Sequence, residues 1–128
     1  MRLLLDTHVF LWWTLGEPRL APTALSMLVD PANGLFLSSA SGFEIATKVG
    51  IGKLKLPTDV ESFVADGMRR GRVDELPATL RHAYRVVTLP PHHRDPFDRL
   101  LIATALEEGL DLLTNDPEVR KYPVKTVW

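Results

Sequence analysis

The chain has 128 residues, 45% of them hydrophobic and 24% charged, with 15 Lys plus Arg against 16 Asp plus Glu and a formal net charge of -1. That length suits one globular domain over residues 1–128, which buries roughly two-thirds of the surface its unfolded form exposes and needs no disulfide or structural metal to supply a core. The absence of cysteine excludes disulfide scaffolds, thiol nucleophiles and Cys-based zinc sites, and the near-neutral balance argues against a strongly basic nucleic-acid surface, leaving only local basic patches.

Taken in chain order, residues 3–5 form a short apolar run cut off by Asp6, a carboxylate that arrives before any signal-peptide core can form. No later run reaches the ~20 apolar residues of a membrane span, so a soluble, cytoplasmic protein is the expectation. Further short apolar runs at residues 35–37, 86–89, 110–114 and 124–127 suit strands buried on both faces. Between them, residues 7–15, 22–29, 42–51, 59–70, 78–85 and 96–108 have helical length and signals. The alternation predicts an α/β fold with a central parallel sheet and helices on both faces. Ser41 with Glu44 and Thr58 with Glu61 fit capping boxes, Asp95 precedes Pro96 at a first helical position, and Gly71 and Gly109 are stops. Residues 97–106 are apolar nearly all round, as in a helix packed between a sheet and its neighbours.

Four acids stand out by position. Asp6 follows the first strand, Glu44 opens the helix after the second, Asp98 opens the nearly all-apolar helix, and Asp116 lies just beyond the strand ending at Thr114. In an open parallel sheet the strand carboxyl ends and the following helix N-termini share one edge, where such folds bind ligands. Carboxylates gathered there repel, and they either take up protons or bind a cation. An all-oxygen set suits Mg²⁺ or Mn²⁺ better than zinc, and such an ion activates water for phosphodiester hydrolysis. Each acid also has a plain structural role open to it: strand terminator, capping-box partner, or acid in a helix's first turn. Asp98 shares a helix face with Leu101, Ile102 and Ala105, a costly place for a carboxylate without a partner. Neutralising Asp6 is expected to relieve repulsion and leave stability intact.

With these residues in view, the sequence resembles the PIN-domain ribonucleases, most closely the VapC-type toxins of bacterial toxin-antitoxin modules. The carrying segments are Leu3-Leu4-Leu5-Asp6-Thr7-His8, then Ser39-Ala40-Ser41-Gly42-Phe43-Glu44-Ile45-Ala46-Thr47-Lys48 with Gly52-Lys53-Leu54 downstream, Arg94-Asp95-Pro96-Phe97-Asp98-Arg99-Leu100-Leu101-Ile102-Ala103, and Leu113-Thr114-Asn115-Asp116. One departure is Gly42-Phe43, where close relatives often carry Trp before the Glu. The resemblance implies a PIN fold and a metal-dependent endoribonuclease toxin using Mg²⁺ or Mn²⁺. Its acidic quartet maps to Asp6, Glu44, Asp98 and Asp116, with Asp95 assigned to capping. It also implies an RNA substrate, a cognate antitoxin and a homodimer. The alternatives are a Mg²⁺-binding phospho-acceptor signalling domain, which needs a lysine at the end of a late strand, and a catalytically inactive PIN-fold binding module.

Secondary signals remain two-sided. Lys48, four residues after Glu44, makes a helical ion pair or touches an RNA phosphate. Arg99 and the run His92-His93-Arg94 steer a phosphate backbone or are ordinary solvated charges. Thr7 and Thr114 hold a metal-bound water or pack in turns. The run Val9-Phe10-Leu11-Trp12-Trp13 is core, with any exposed remainder forming a groove for an antitoxin helix.

Overall fold

The computed structural model describes residues 1–128, which form β1 (Arg2–Leu5), α1 (Thr7–Leu15), α2 (Pro22–Val29), β2 (Gly34–Ser38), α3 (Ser39–Gly50), α4 (Val60–Gly71), β3 (Val73–Leu76), α5 (Leu80–Arg85), α6 (Pro96–Glu108), β4 (Asp111–Leu113) and β5 (Thr126–Val127). The five strands make one sheet in the order β3-β2-β1-β4-β5, and every pairing is parallel. The expected α/β architecture with a central parallel sheet is therefore present. No helix is long and apolar enough to cross a membrane.

β1 lies in the middle. Leu3, Leu4 and Leu5 have no exposed surface, because alternate side chains enter opposite cores. Leu3 and Leu5 pack with Val9 and Phe10 of α1, Ala24 and Leu28 of α2 and Ile45 of α3. Leu4 packs on the other face with Leu101, Ile102 and Ala105 of α6 and with Leu112.

The strand predicted at residues 86–89 is instead a 3₁₀ turn over Val86–Thr88, with Val87 89% exposed. A short β-branched run does not distinguish strand from helix by period alone. The third strand is Val73-Asp74-Glu75-Leu76, unmarked by any apolar run because it is the sheet's edge and its two acids are exposed. The predicted capping boxes shift as well. Ser38, not Ser41, caps α3, and Asp59, not Thr58, caps α4 through Ser62 N–H. The capping box present in the structure joins Thr79 to His82 at α5. Asp95 and Gly109 bound α6 as predicted.

α1 and α4 meet through glycine. A Cβ on Gly67 would stand 2.7 Å from Thr14 Cγ2 and 3.1 Å from Phe10 Cζ, and one on Gly71 2.7 Å from the Trp13 ring. Thr14 cannot rotate away freely, because its hydroxyl donates to Phe10 O at 2.8 Å. Gly67→Ala is therefore expected to destabilise the fold by about 1–3 kcal/mol, despite a helix-propensity gain of about 1 kcal/mol. Urea unfolding followed by circular dichroism checks this, and an unchanged midpoint would refute the tight contact.

Candidate active site

The carboxyl ends of β1, β2 and β4 and the starts of α1, α3 and α6 converge on one edge of the sheet. Asp6 ends β1 and caps α1. One of its carboxylate oxygens accepts from His8 N–H at 3.2 Å, and the other accepts from Thr114 Oγ1 at 2.6 Å, across 108 positions of sequence. Thr114 in turn accepts from Asp116 N–H at 3.1 Å. Thr114 thus ties Asp6 to the backbone that carries Asp116. Thr7 is used otherwise, donating to Ser41 Oγ at 2.8 Å in the buried seam between α1 and α3.

Glu44 lies on the inner face of α3, its side chain only 2% exposed. Its Oε2 accepts from Lys48 Nζ at 2.8 Å, the helical ion pair. Its Oε1 is buried without any hydrogen-bond partner. An orphaned anionic oxygen in the interior is costly and calls for a cation or a donor.

Asp98 stands in the first turn of α6, where Asp95 accepts from the N–H groups of both Phe97 and Asp98. Asp95 is exposed and is the cap, whereas the Asp98 side chain is 13% exposed and faces inward. Burial, followed by the charges of Asp6 and Asp95 and, more weakly, Glu44, pushes the Asp98 carboxyl up to about 6, against a hydrogen bond from His93 that works the other way. Asp6 behaves oppositely. Burial raises it, but the bonds from His8 and Thr114 and the charge of His8 outweigh that and hold it below the usual carboxylate range. His8 is raised in return, chiefly by its pairing with Asp6.

Asp6, Glu44 and Asp98 are thus brought within one another's field. They do not close around a single point as a ready-made cage of three ligands. Asp116 joins through its backbone, while its carboxylate accepts from Glu118 N–H at 2.9 Å and caps the following turn. Whether this donor set fits a hard divalent cation turns on chemistry already present. The site is all oxygen, carries a buried orphan in Glu44 Oε1 and forces Asp98 toward protonation, so Mg²⁺ or Mn²⁺ fits it.

The sequence marks Arg99 as a candidate phosphate contact. Its guanidinium is instead committed to Pro90 O at 2.9 Å, the Tyr122 hydroxyl at 3.0 Å and Val86 O at 3.4 Å, so it braces the loop before α6. His93 bridges Tyr122 and Asp98. Tyr122 escaped the sequence reading altogether, since nothing local marks a lone tyrosine in a late loop. β4 and β5 end at Leu113 and Val127, so the strand-end lysine required by a phospho-acceptor domain is absent.

Two cavities lie away from these acids. The first, about 230 Å³, is lined by Trp13, Thr14, Phe63, Asp66, Gly67, Arg70 and Gly71 between α1 and α4. The second, about 450 Å³, adjoins it at Trp13, Arg70 and Gly71 and extends to the loop before β2.

The family profile described as PIN domain matches residues 3–125. The chain is 34% identical over 130 aligned residues to Ribonuclease VapC22 of Mycobacterium tuberculosis, covering 98% of this chain and 97% of that protein. Among solved structures, VapBC2 from Rickettsia felis, bound to a DNA fragment from its promoter, superposes with a TM-score of 0.74 at 18% identity, over 99% of this chain and 98% of that one. DNA-bound VapBC from Salmonella typhimurium superposes at 0.68 and 17% identity, over 99% and 97%. At such identities these two likenesses bear on the fold.

Proposed function

The chain belongs to the PIN-domain family, as its motifs implied, and from that membership we propose that it is an endoribonuclease toxin of a toxin-antitoxin module whose activity depends on Mg²⁺ or Mn²⁺ held at Asp6, Glu44 and Asp98, with Asp116 completing the quartet. The observation that carries the metal dependence is the buried, unpartnered Glu44 Oε1, together with an Asp98 carboxyl that burial and the charges of Asp6 and Asp95 push up to about 6.

A divalent cation held by Asp6, Glu44 and Asp98 would supply charge stabilisation at the phosphoryl oxygens and activate water for attack. The chain's own part is arrangement. Thr114 and His8 fix the Asp6 carboxylate so that it keeps its charge. Lys48 holds one oxygen of Glu44 and leaves the other free. Asp98 carries a proton in mildly acid conditions and is ionised above them, because burial and the charges of Asp6 and Asp95 push it up to about 6.

The antitoxin and a second copy of the chain complete the proposal. The groove between α1 and α4, with Trp13 along its wall, supports a docking surface for an antitoxin helix. Leu80, Tyr84 and Val87, at helical spacing and 66–89% exposed, support a surface for the second copy.

Purified protein freed of antitoxin is expected to cleave RNA with added Mn²⁺ and to stop in excess chelator, leaving 5′-phosphate and 3′-hydroxyl ends, since water and not the RNA 2′-hydroxyl is the nucleophile. Cyclic-phosphate ends, or full activity in chelator, would overturn the metal-dependent reading.

A further inference from the structure

Tyr122 is nearly buried, at 4% exposure, and its hydroxyl is crowded with donors. Arg99 Nη1 donates to it at 3.0 Å and the backbone N–H of His93 at 3.2 Å, while His93 Nδ1 lies 2.8 Å away. A phenolic oxygen accepts through two lone pairs and has one proton to give. Both lone pairs are taken by Arg99 and the His93 backbone, so the phenol proton goes to His93 Nδ1. A ring nitrogen that accepts carries no proton, which puts the imidazole N–H on Nε2. That nitrogen faces Asp98 Oδ2 at 3.3 Å.

From this chain of hydrogen bonds we infer that His93 is a positioning residue for Asp98: Tyr122 locks its imidazole in the Nε2–H tautomer, which donates to Asp98 Oδ2 and fixes how that carboxylate is presented. The inference rests on the metal-dependent reading of the site. Arg99 anchors the assembly by tying Tyr122 to Pro90 O and Val86 O, and His92 packs edge-on against the Tyr122 ring with centroids 4.9 Å apart. A carboxylate at the mouth of a helix is otherwise free to rotate about its terminal torsion. Partners behind metal ligands are worth 10–100-fold in metal affinity or activity when removed.

Two measurements test this. In the metal-free protein at neutral pH, long-range ¹H–¹⁵N spectra of the histidine rings are expected to show His93 with a protonated Nε2 and an accepting Nδ1, and Tyr122→Phe should weaken that preference. Calorimetric titration with Mn²⁺ should show His93→Ala binding roughly 10–100-fold more weakly. His93→Gln, whose amide N–H reaches the same oxygen, should recover most of the loss, and KM for RNA at saturating Mn²⁺ should stay near the unsubstituted value. Should His93→Ala fail to fold, Tyr122→Phe, which keeps the ring, carries the same titration with a smaller loss in the same direction. An Nδ1–H tautomer, unchanged Mn²⁺ affinity, or an effect confined to KM would each overturn the inference while wild-type binding and cleavage persist. A wild-type protein that neither binds Mn²⁺ nor cleaves RNA would instead overturn the nuclease reading, and the positioning role with it.

Discussion

Asp98→Asn is expected to reduce RNA cleavage to background while making the metal-free protein more stable at neutral pH. The first effect follows from removing an anionic ligand from the proposed cation site. The second follows from the electrostatics of the empty cluster. Asp98 titrates at about 6 in the folded chain against 3.8 for an unperturbed aspartate, because it is buried beside Asp6, Asp95 and Glu44. The folded state therefore holds the proton more tightly than the unfolded state, and folding loses stability as pH rises between those two values. Once solvent screening of this partly exposed carboxylate is counted, the ionised group costs about 1–2 kcal/mol at pH 7. Asparagine removes that cost, so the melting temperature of the variant should exceed that of the unsubstituted chain above pH 6 and converge with it near pH 4. Asp95→Ala provides the contrast. It loses a helix cap worth about 1 kcal/mol and should melt lower, yet keep cleaving. Calorimetric melts across this pH range with single-turnover cleavage decide the matter. An inactive Asp95→Ala beside an active Asp98→Ala or Asp98→Asn would reverse the assignment.

Asp6→Asn is expected to lose both cleavage and stability. Mutual repulsion alone argues for relief on neutralising this residue, but the structure gives Asp6 bonds that repulsion does not describe. Its two oxygens accept from His8 N–H and from Thr114, and both cannot be satisfied by an amide, which presents one oxygen and one NH₂ group. Keeping the α1 cap therefore strands the Thr114 proton, at a cost of about 1–2 kcal/mol. The sign of the pH dependence agrees. Asp6 is held below its ordinary value, so its contribution is present above about pH 4 and fades as acid protonates it. The penalty measured for Asp6→Asn should accordingly shrink toward low pH, the reverse of the Asp98→Asn profile. A variant as stable as the unsubstituted chain at neutral pH would mean that the Thr114 contact contributes nothing.

Position along the chain makes most of this site legible in the sequence. Asp6 follows an apolar strand and Asp98 opens a helix, as strand-end chemistry in parallel sheets leads one to expect, whereas Glu44, expected at a helix start, sits in the second turn of α3 because that helix begins at Ser39. Asp95 and Asp98 separate by cap geometry, since an exposed N-cap and an inward first-turn acid have different work. What sequence does not carry is the pairing of distant side chains. Thr114 reaches Asp6, and Tyr122 reaches His93 across 29 positions, only because β4 is laid against β1 and the chain after it returns over α6. The misplaced strand has the same origin. Val86-Val87-Thr88 looks like a strand by residue type, and Val73-Asp74-Glu75-Leu76 does not, yet only the latter lies in register beside β2. Edge position tolerates acids that a central strand would reject.

The sheet order has a consequence for how such a chain is made. Ribosomes deliver β1 first, but one of its two hydrogen-bonding edges waits for β4, whose pairing runs from Leu3 beside Asp111 to Leu5 beside Leu113. Until those residues leave the exit tunnel, a strand with three consecutive leucines has one side open, the kind of edge that chaperones cover and that neighbouring nascent chains can capture. Asp6 likewise acquires its Thr114 partner only at that late moment. A polypeptide stalled or clipped before residue 111 thus lacks β4 and β5 and leaves Asp6 without its Thr114 partner.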